Sequence, residues 1–301
     1  MSDRDDAHRQ RILGVAESIR AGQSANQDAG RQFRVVITGK GGAGKTTLTA
    51  ILARLLARQS YTVLALDADP QMNLPYALGL PLDEARALVP LSRNADYVEE
   101  KTGARPGSGW GLFFRLNPDV SDVVDRFGVV GPDQVRLLVM GTLTQPAAGC
   151  LCPENTLLAA VVNAINLRQG EVILMDTQAG VEHFGRALAQ GFHQAVVIAD
   201  ATFNALQVAV HTARLAQGLG IPAIHLVVNR VRRPGDFDRA LARIEAEGDF
   251  PFTTRHALPY DERVLESEPA ISPLLDDSAS PFVEAVGALR DVLIRTEEEV
   301  A

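Results

Sequence analysis

A glycine-rich loop with two lysines has the residue types and spacing that most directly predict chemistry in this 301-residue chain. The phosphate-binding pattern G-x-x-x-x-G-K-[ST] is met by Gly39, Gly44, Lys45 and Thr46. Glycines let backbone N–H groups surround phosphate oxygens, the lysine ammonium contacts the β- and γ-phosphates, and the threonine hydroxyl can ligate Mg²⁺. The pattern predicts an Mg²⁺-dependent nucleotide hydrolase whose nucleotide is bound by Gly39, Lys40, Gly41, Gly42, Ala43, Gly44, Lys45, Thr46 and Thr47.

Lys40 is the second lysine of this loop, and its position narrows the interpretation. The chain has three lysines, and two of them lie within this one loop. With its K-G-G-x-G-K-T-T arrangement, the loop resembles the deviant Walker family of dimerising ATPases, which includes the nitrogenase iron protein, MinD, ParA and the arsenite-pump ATPase. The resemblance implies that Lys40 reaches across a dimer interface to the partner's nucleotide and, with Lys45, assists hydrolysis. A lysine solvated at the edge of a loop is the alternative.

Carboxylates at two strand ends are the next candidates for catalysis. Asp67 and Asp69 follow an apolar run, and Asp176 ends the apolar run from Val172 to Met175. Paired carboxylates at such an edge can serve a hydrated Mg²⁺ and an attacking water. The family resemblance implies that Asp69 positions the water, while Asp67 and Asp176, together with Thr46, face the Mg²⁺ shell. A turn with solvated carboxylates is the alternative for the first pair.

Cys150 and Cys152 are the two cysteines of the chain. In an extended segment, residues i and i+2 project to one side, so both thiolates can face one metal ion. A helix-patterned stretch over residues 156–167 follows, and its N-terminal dipole favours thiolates. Zinc sites commonly have four ligands, and thiolates also suit nickel and copper(I). In the dimer that the family resemblance implies, two cysteines from each chain would complete one shared site, which we expect to hold nickel or zinc. Two small core residues are the alternative.

These residues require a scaffold that brings strand ends together. We predict strands over residues 34–38, 62–67, 135–140, 171–176, 195–199, 223–228 and 254–258. Nearly continuous apolar strands separated by helical patterns indicate an α/β fold, a doubly wound and mostly parallel sheet with helices on both faces. Functional sites in such sheets form at the carboxyl ends of the strands.

Composition sets the wider limits. With 46% hydrophobic residues, residues 31–301 are expected to form a single domain, after a polar and mobile extension over residues 1–30. The net charge of −8 argues against a nucleic-acid partner. Without a run that could span a bilayer or a signal peptide at the N-terminus, we expect a cytoplasmic protein with no membrane partner.

Further motifs make the resemblance more specific. The segments Thr102–Gly111, Leu116–Pro118, Leu137–Thr142, Gly149–Asn155 and Ala179–Arg186 are similar to those of the CooC family, whose C-x-C-P-E-N element sets it apart from other deviant Walker proteins. CooC proteins are ATPases that mature the nickel site of carbon monoxide dehydrogenase, and relatives serve acetyl-CoA synthase. The resemblance implies a P-loop NTPase fold, an ATP-state homodimer and a nickel enzyme as client. It also implies a purine contact by Asn229 and a loop over the base at Pro259, although turn residues explain both equally well.

Two features depart from that family, and several readings remain open. Gln178 stands where a carboxylate is expected, and residues 1–30 extend beyond the usual start. Trp110 fits a partner-docking or a packing role, and His183 fits a client-facing or a structural role. The nitrogenase-type and MinD-type alternatives are disfavoured by the cysteine pattern and by the acidic segment Glu297–Glu299. A ParA-like positioning ATPase that transfers no metal is the competing function.

Overall fold

The computed structural model describes residues 32–105, 115, 117–141, 152–166, 169–178, 189, 191–246, 248, 250–276 and 280–300. The predicted extension over residues 1–30 lies outside these residues, as do Trp110, Cys150, Gly180 and His183.

One eight-stranded sheet forms the centre of the described structure, with the strand order β3-β4-β2-β5-β1-β6-β7-β8. The strands are β1 Phe33–Gly39, β2 Val63–Ala68, β3 Val129–Val130, β4 Arg136–Val139, β5 Val172–Thr177, β6 Gln194–Asp200, β7 Ala223–Val231 and β8 Thr254–Pro259. Seven strands run parallel, and β3 pairs antiparallel with β4 at one edge. The predicted fold class is therefore correct, and β3 is the one strand of this sheet that the sequence analysis missed.

Helices connect the strands within the described residues. They are α1 Lys45–Arg58, α2 Leu74–Leu78, α3 Leu82–Ala87, α4 Ala95–Thr102, α5 Val123–Phe127, α6 Cys152–Asn166, α7 Phe203–Gly218, α8 Pro234–Ala246, α9 Arg263–Glu266, α10 Ser272–Asp276 and α11 Pro281–Val300. In that part of the chain, no helix is long and apolar enough to cross a membrane.

The core has two layers because side chains alternate across each strand. In β1, Val36 packs into one layer with α4 to α8, whereas Val35 and Ile37 pack into the other with α1, α2, α10 and α11. Strands buried on both faces need apolar side chains at every position, which is why they appear in the sequence as continuous apolar runs. Both layers together hold the carboxyl ends of the strands in fixed positions.

Several polar side chains form hydrogen bonds at the amino ends of the parallel strands, the edge of the sheet that lies opposite the phosphate-binding loop. Arg34 Nη1 donates a hydrogen bond of 2.8 Å to His193 Nε2. Because an arginine can only donate, His193 accepts at Nε2 and donates from Nδ1 to Glu297 of α11, over 2.8 Å. This contact ties the start of β1 and the residue preceding β6 to the last described helix.

The same set of bonds continues across β6, β7 and β8. Gln194 donates to the carbonyl of Leu293 at 2.9 Å and accepts from His225 Nε2 at 3.1 Å. The other ring nitrogen of His225 accepts from the Thr254 hydroxyl at 2.7 Å. His225 is fully buried, and this burial lowers its pKa to about 4. We call these residues the amino-edge network: Arg34, His193, Gln194, His225, Thr254 and Glu297.

Candidate nucleotide-binding site

The glycine-rich loop joins β1 to α1 at the centre of the sheet. Gly39 and Gly44 have φ values of 148° and 98°, which residues with a Cβ rarely adopt. A Cβ at Gly39 would lie 2.0 Å from the carbonyl oxygen of Ile198, and one at Gly44 would lie 2.6 Å from Asn229 Nδ2. Helix α1 starts at Lys45 with no side-chain cap and no acidic residue in its first turn. Its first amides are therefore available to an anion.

The two loop lysines have opposite environments. Lys45 is only 6% exposed, and its ammonium lies 3.4 Å from the carbonyl oxygen of Lys40. Burial lowers the pKa of Lys45, while the nearby carboxylates of Asp176 and Asp69 counteract the shift. The Lys40 side chain is exposed. Lys45 is thus fixed beside the cavity, whereas the Lys40 side chain is accessible from outside.

Asp176 is the carboxylate closest to the start of α1. The Thr46 hydroxyl donates to its Oδ2 at 2.6 Å. Asp176 is 1% exposed, and its Oδ1 has no hydrogen-bond partner among the described residues. Burial raises the pKa of Asp176 to about 7, with the Thr46 bond and Lys45 opposing that rise. A buried carboxylate with one open oxygen fits a hydrated cation.

Asp67 and Asp69 are used differently, although only one residue separates them. Asp67 is the register partner of Asp176 and is fully buried. Its two oxygens accept from the backbone amides of Asp69 at 3.0 Å and Leu74 at 3.1 Å. Burial and the charge of Asp176 raise its pKa well above the usual range. Asp69 is half-buried and lines the cavity. Asp67 therefore shapes the turn, and Asp69 is the one of the pair that faces a ligand.

The donor set fits Mg²⁺ held mainly through water and phosphate. Among the described residues, no group of three or more His, Cys, Asp or Glu side chains could hold a metal ion by itself. Thr46 and Asp176 supply two neighbouring oxygens beside the phosphate-binding loop. Mg²⁺ commonly keeps several waters and takes only one or two protein ligands plus substrate phosphates.

A cavity of about 630 Å³ lies over this loop. One wall was not predicted from the sequence. It comprises Val264 and the segment Ser267–Ile271, which follow β8. The motif at Pro259 indicated a loop over the nucleotide, but nothing in the sequence indicated that this wall continues to Ile271. Gln178, the position that departs from the family pattern, also lines the cavity.

Asn229, the residue predicted to contact the purine, lies next to the phosphate-binding loop. It is 4% exposed, and its Nδ2 donates to the carbonyl of Ala43 at 2.8 Å. Its Oδ1 accepts from the amide of Arg230 at 2.8 Å. Asn229 and Pro259 both line a smaller cavity of about 60 Å³. Asn229 therefore holds the phosphate-binding loop in place, a role that the sequence analysis missed.

The cysteine segment is described only from Cys152 onward, and there only for its backbone. Helix α6 begins at Cys152, four positions before the predicted start at Thr156. The predicted boundary was wrong because Pro153 can occupy the first turn of a helix, where its missing N–H has no consequence. Cys150 lies outside the described residues, so the shared metal site remains a prediction.

Comparison with known proteins identifies a nucleotide-binding family. Residues 34–273 match the CobQ/CobB/MinD/ParA nucleotide binding domain. The chain is 33% identical to the carbon monoxide dehydrogenase accessory protein CooC of Rhodospirillum rubrum, covering 84% of this chain and 96% of that protein. An uncharacterized ATP-binding protein of Methanocaldococcus jannaschii is 35% identical, with the same coverage of 84% and 96%.

Solved structures give the same fold. The cell division ATPase MinD of Pyrococcus furiosus has a TM-score of 0.60 and 22% identity, covering 89% of this chain and 99% of that one. MinD of Pyrococcus horikoshii, solved with Mg-ADP, has a TM-score of 0.57 and 21% identity, covering 89% and 96%. These likenesses concern the fold alone.

Proposed function

Because this chain belongs to the CobQ/CobB/MinD/ParA family of nucleotide-binding proteins and is related to CooC, we propose that it is an ATP-dependent maturation factor. Its proposed activity is to insert nickel into the active-site cluster of carbon monoxide dehydrogenase or acetyl-CoA synthase. The observation that carries this proposal is the 33% identity to CooC over nearly the full length of that relative. The C-x-C-P-E-N element at the start of α6 supports it.

We assign hydrolysis to side chains that line the 630 Å³ cavity or lie directly behind its wall. Lys45 binds the β- and γ-phosphates, and the amides at the start of α1 surround their oxygens. Thr46 and Asp176 would hold a hydrated Mg²⁺, which would supply positive charge next to the phosphates. Asp69 faces the cavity and orients the attacking water. Asp67 supports this arrangement by fixing the turn that presents Asp69.

Lys40 makes hydrolysis depend on dimerisation. Its exposed position on the loop suits a contact with a nucleotide held mainly by a second copy of the chain. A cation delivered to the transferring phosphoryl group is worth orders of magnitude in rate. The ATP-bound state is therefore the homodimer, and hydrolysis returns it to loosely associated subunits.

Nickel is the cargo of this cycle. Each subunit contributes Cys150 and Cys152, so that a dimer offers four thiolates to one divalent ion. Zinc competes for the same thiolates, but nickel(II) favours a square-planar arrangement and zinc a tetrahedral one. The dipole of α6 at Cys152 favours the thiolate state that metal binding requires.

Titration of the ATP-loaded dimer with nickel tests the cargo. We expect one ion per two chains, read by thiolate-to-metal charge-transfer absorption. Cys150→Ser should abolish tight nickel binding and leave ATP affinity unchanged, because the phosphate-binding loop is separate. If nickel binding survives in Cys150→Ser, the shared thiolate site is wrong, and a dimer that binds no nickel would favour a ParA-like switch.

Replacement of Lys40 tests the dimer mechanism. Lys40→Ala should bind ATP normally and lose hydrolysis, whereas Lys101→Ala provides a matched lysine control far from the loop. In the native protein, Lys101 forms an ion pair with Asp122 at 2.9 Å. The Lys101→Ala substitution should leave ATP turnover unchanged. Equal turnover of Lys40→Ala and the native protein would show that Lys40 does not act across the interface.

A further inference from the structure

Arg230 has a strained backbone directly beside the proposed nucleotide site. Strands β7 and β8 are in register at Val228 and Ala257, and again at Val231 and Pro259, so β7 contains one extra residue between these pairs. Within this bulge, Arg230 has a φ of 57°, a left-handed conformation that residues with a Cβ rarely adopt. Bulges redirect side chains, and such strain is found at functional sites.

The bulge places the Arg230 side chain where the two cavities meet. Arg230 lines both the 630 Å³ cavity over the phosphate-binding loop and the 60 Å³ cavity beside Asn229 and Pro259. Gly44 and Thr47 also line both cavities. A nucleotide with its phosphates on the loop and its base in the smaller cavity must therefore pass Arg230.

The guanidinium of Arg230 is anchored at one nitrogen. Nη1 contacts the two carboxylate oxygens of Asp200, at the end of β6, over 3.2 and 3.4 Å. In the part of the chain that the structure describes, this is the one hydrogen-bonded contact of the guanidinium, and the side chain is 47% exposed. An arginine has five N–H donors in a rigid fork, so most remain available to a ligand.

We propose that Arg230 is a nucleotide-binding residue that donates to the phosphate next to the sugar, and that Asp200 positions its guanidinium. The inference rests on the proposed function, since its ligand is a nucleoside di- or triphosphate. Lys45 and the amides of α1 already serve the terminal phosphates. With the terminal phosphates assigned to those groups, the phosphate next to the sugar is the anionic group left for the boundary between the cavities, where Arg230 supplies a cation. This contact is common to ATP and ADP.

Calorimetric titration with ADP and with a non-hydrolysable ATP analogue tests this assignment. Arg230→Asn should weaken the binding of both ligands by about 10- to 150-fold, the range that corresponds to a hydrogen bond with a charged group. Arg230→Gly should do the same. Asparagine and glycine both tolerate a positive φ, so a loss in both variants reports the guanidinium and not the backbone.

Arg233→Asn is the matched control. Arg233 lies in the connection after β7, and it is exposed. The affinity of the Arg233→Asn variant for both nucleotides should equal that of the native protein. If Arg230→Asn and Arg230→Gly also bind within 2-fold of the native protein, the inference is overturned. Native protein that binds no ADP would instead overturn the nucleotide-dependent function itself, so the two failures are distinct.

The positioning role of Asp200 has its own test. Asp200→Asn should lower the affinity for ADP by about 3-fold in the native background. In the Arg230→Asn background the same substitution should have no effect, because Asp200 acts through Arg230. The same loss in both backgrounds would show that Asp200 does not work through Arg230.

Discussion

At the carboxyl ends of the strands, the buried carboxylate of Asp176 keeps one oxygen without a partner among the described residues. At the amino ends, both ring nitrogens of His193 and of His225 are bonded to other side chains. The same sheet therefore buries polar groups in two ways. A buried polar atom without a partner is costly, and it persists where a ligand supplies the missing contact.

The comparison separates binding from stability within one fold. In the amino-edge network, the ring nitrogens of His193 and His225 and the amide of Gln194 all have hydrogen-bond partners, so removal of these side chains should cost stability and leave the nucleotide chemistry intact. In contrast, polar groups around Asp176 are left for contacts with a ligand. Their removal should lower ATP turnover and leave the stability of the fold unchanged. Four substitutions test this separation.

The largest effect is expected at Asp176. Asp176→Asn keeps the shape and an acceptor for Thr46 but removes the charge, so turnover of ATP should fall about 1,000-fold, equivalent to about 4 kcal/mol. The nucleotide-free protein should be at least as stable as the native protein, because a buried charge near Asp67 is removed. Turnover assays and thermal melting measure the two effects. Asp96→Asn, at an exposed carboxylate, should change neither quantity, and a strongly destabilised Asp176→Asn would contradict the separation.

Gln194 should show the opposite behaviour. Gln194→Leu leaves the Leu293 carbonyl and His225 Nε2 without their partner, at a cost of about 3 kcal/mol in the free energy of unfolding. Turnover of the folded protein should not change. Urea unfolding measures the cost, and Gln217→Leu on the exposed face of α7 provides the control. A loss of turnover comparable to that of Asp176→Asn would break the distinction between the two edges.

His225 makes the amino edge sensitive to acid. Its folded-state pKa is about 4, below its ordinary value of 6.5, so the unfolded chain binds the proton more readily. This contribution to stability is complete above pH 6.5 and declines as the pH falls towards 4. Roughly 2 kcal/mol should be lost between about pH 7 and pH 5.

Urea unfolding as a function of pH measures this loss. His225→Gln should flatten the dependence, since glutamine does not titrate, whereas His211→Gln at an exposed position should preserve it. An equally steep dependence in His225→Gln would assign the effect to other groups.

The smallest effect is expected at Thr254. Thr254→Val removes the hydroxyl that bridges His225 and His256, at 2.7 and 2.8 Å. The cost should be about 1 kcal/mol, because Thr254 and His256 are half-buried and water can replace the hydroxyl. Thr254→Ser keeps the hydroxyl and should behave as the native protein in the same unfolding assay. If Thr254→Ser costs as much as Thr254→Val, the hydroxyl does not account for the loss.

The sequence was most informative where local patterns determine structure. Continuous apolar runs predicted seven strands, and the structure contains all seven. The short strand Val129–Val130 was missed because two residues carry no detectable periodicity. The start of α6 was misplaced because the apolar side-chain pattern becomes helical only from Thr156, whereas Pro153 is tolerated in the first turn.

Long-range polar contacts had no such signal. Gln194, His225 and Glu297 are far apart in sequence, and each alone resembles an ordinary polar residue at a strand end or on a helix. The bond from Asn229 to Ala43 depends on β7 lying two strands from β1, an arrangement that only the assembled sheet provides. The strain at Arg230 similarly arises from the pairing of β7 with β8.

Helix α11 packs against both α1 and β8, so the helix that presents Lys45 and Thr46 is covered by a segment from the other end of the domain. A ribosome delivers α1 early and residues 281–300 much later. The apolar side of α1 therefore stays uncovered while most of the domain is being translated, and such surfaces recruit chaperones. Burial of that side of α1 is therefore completed only after these residues have left the exit tunnel.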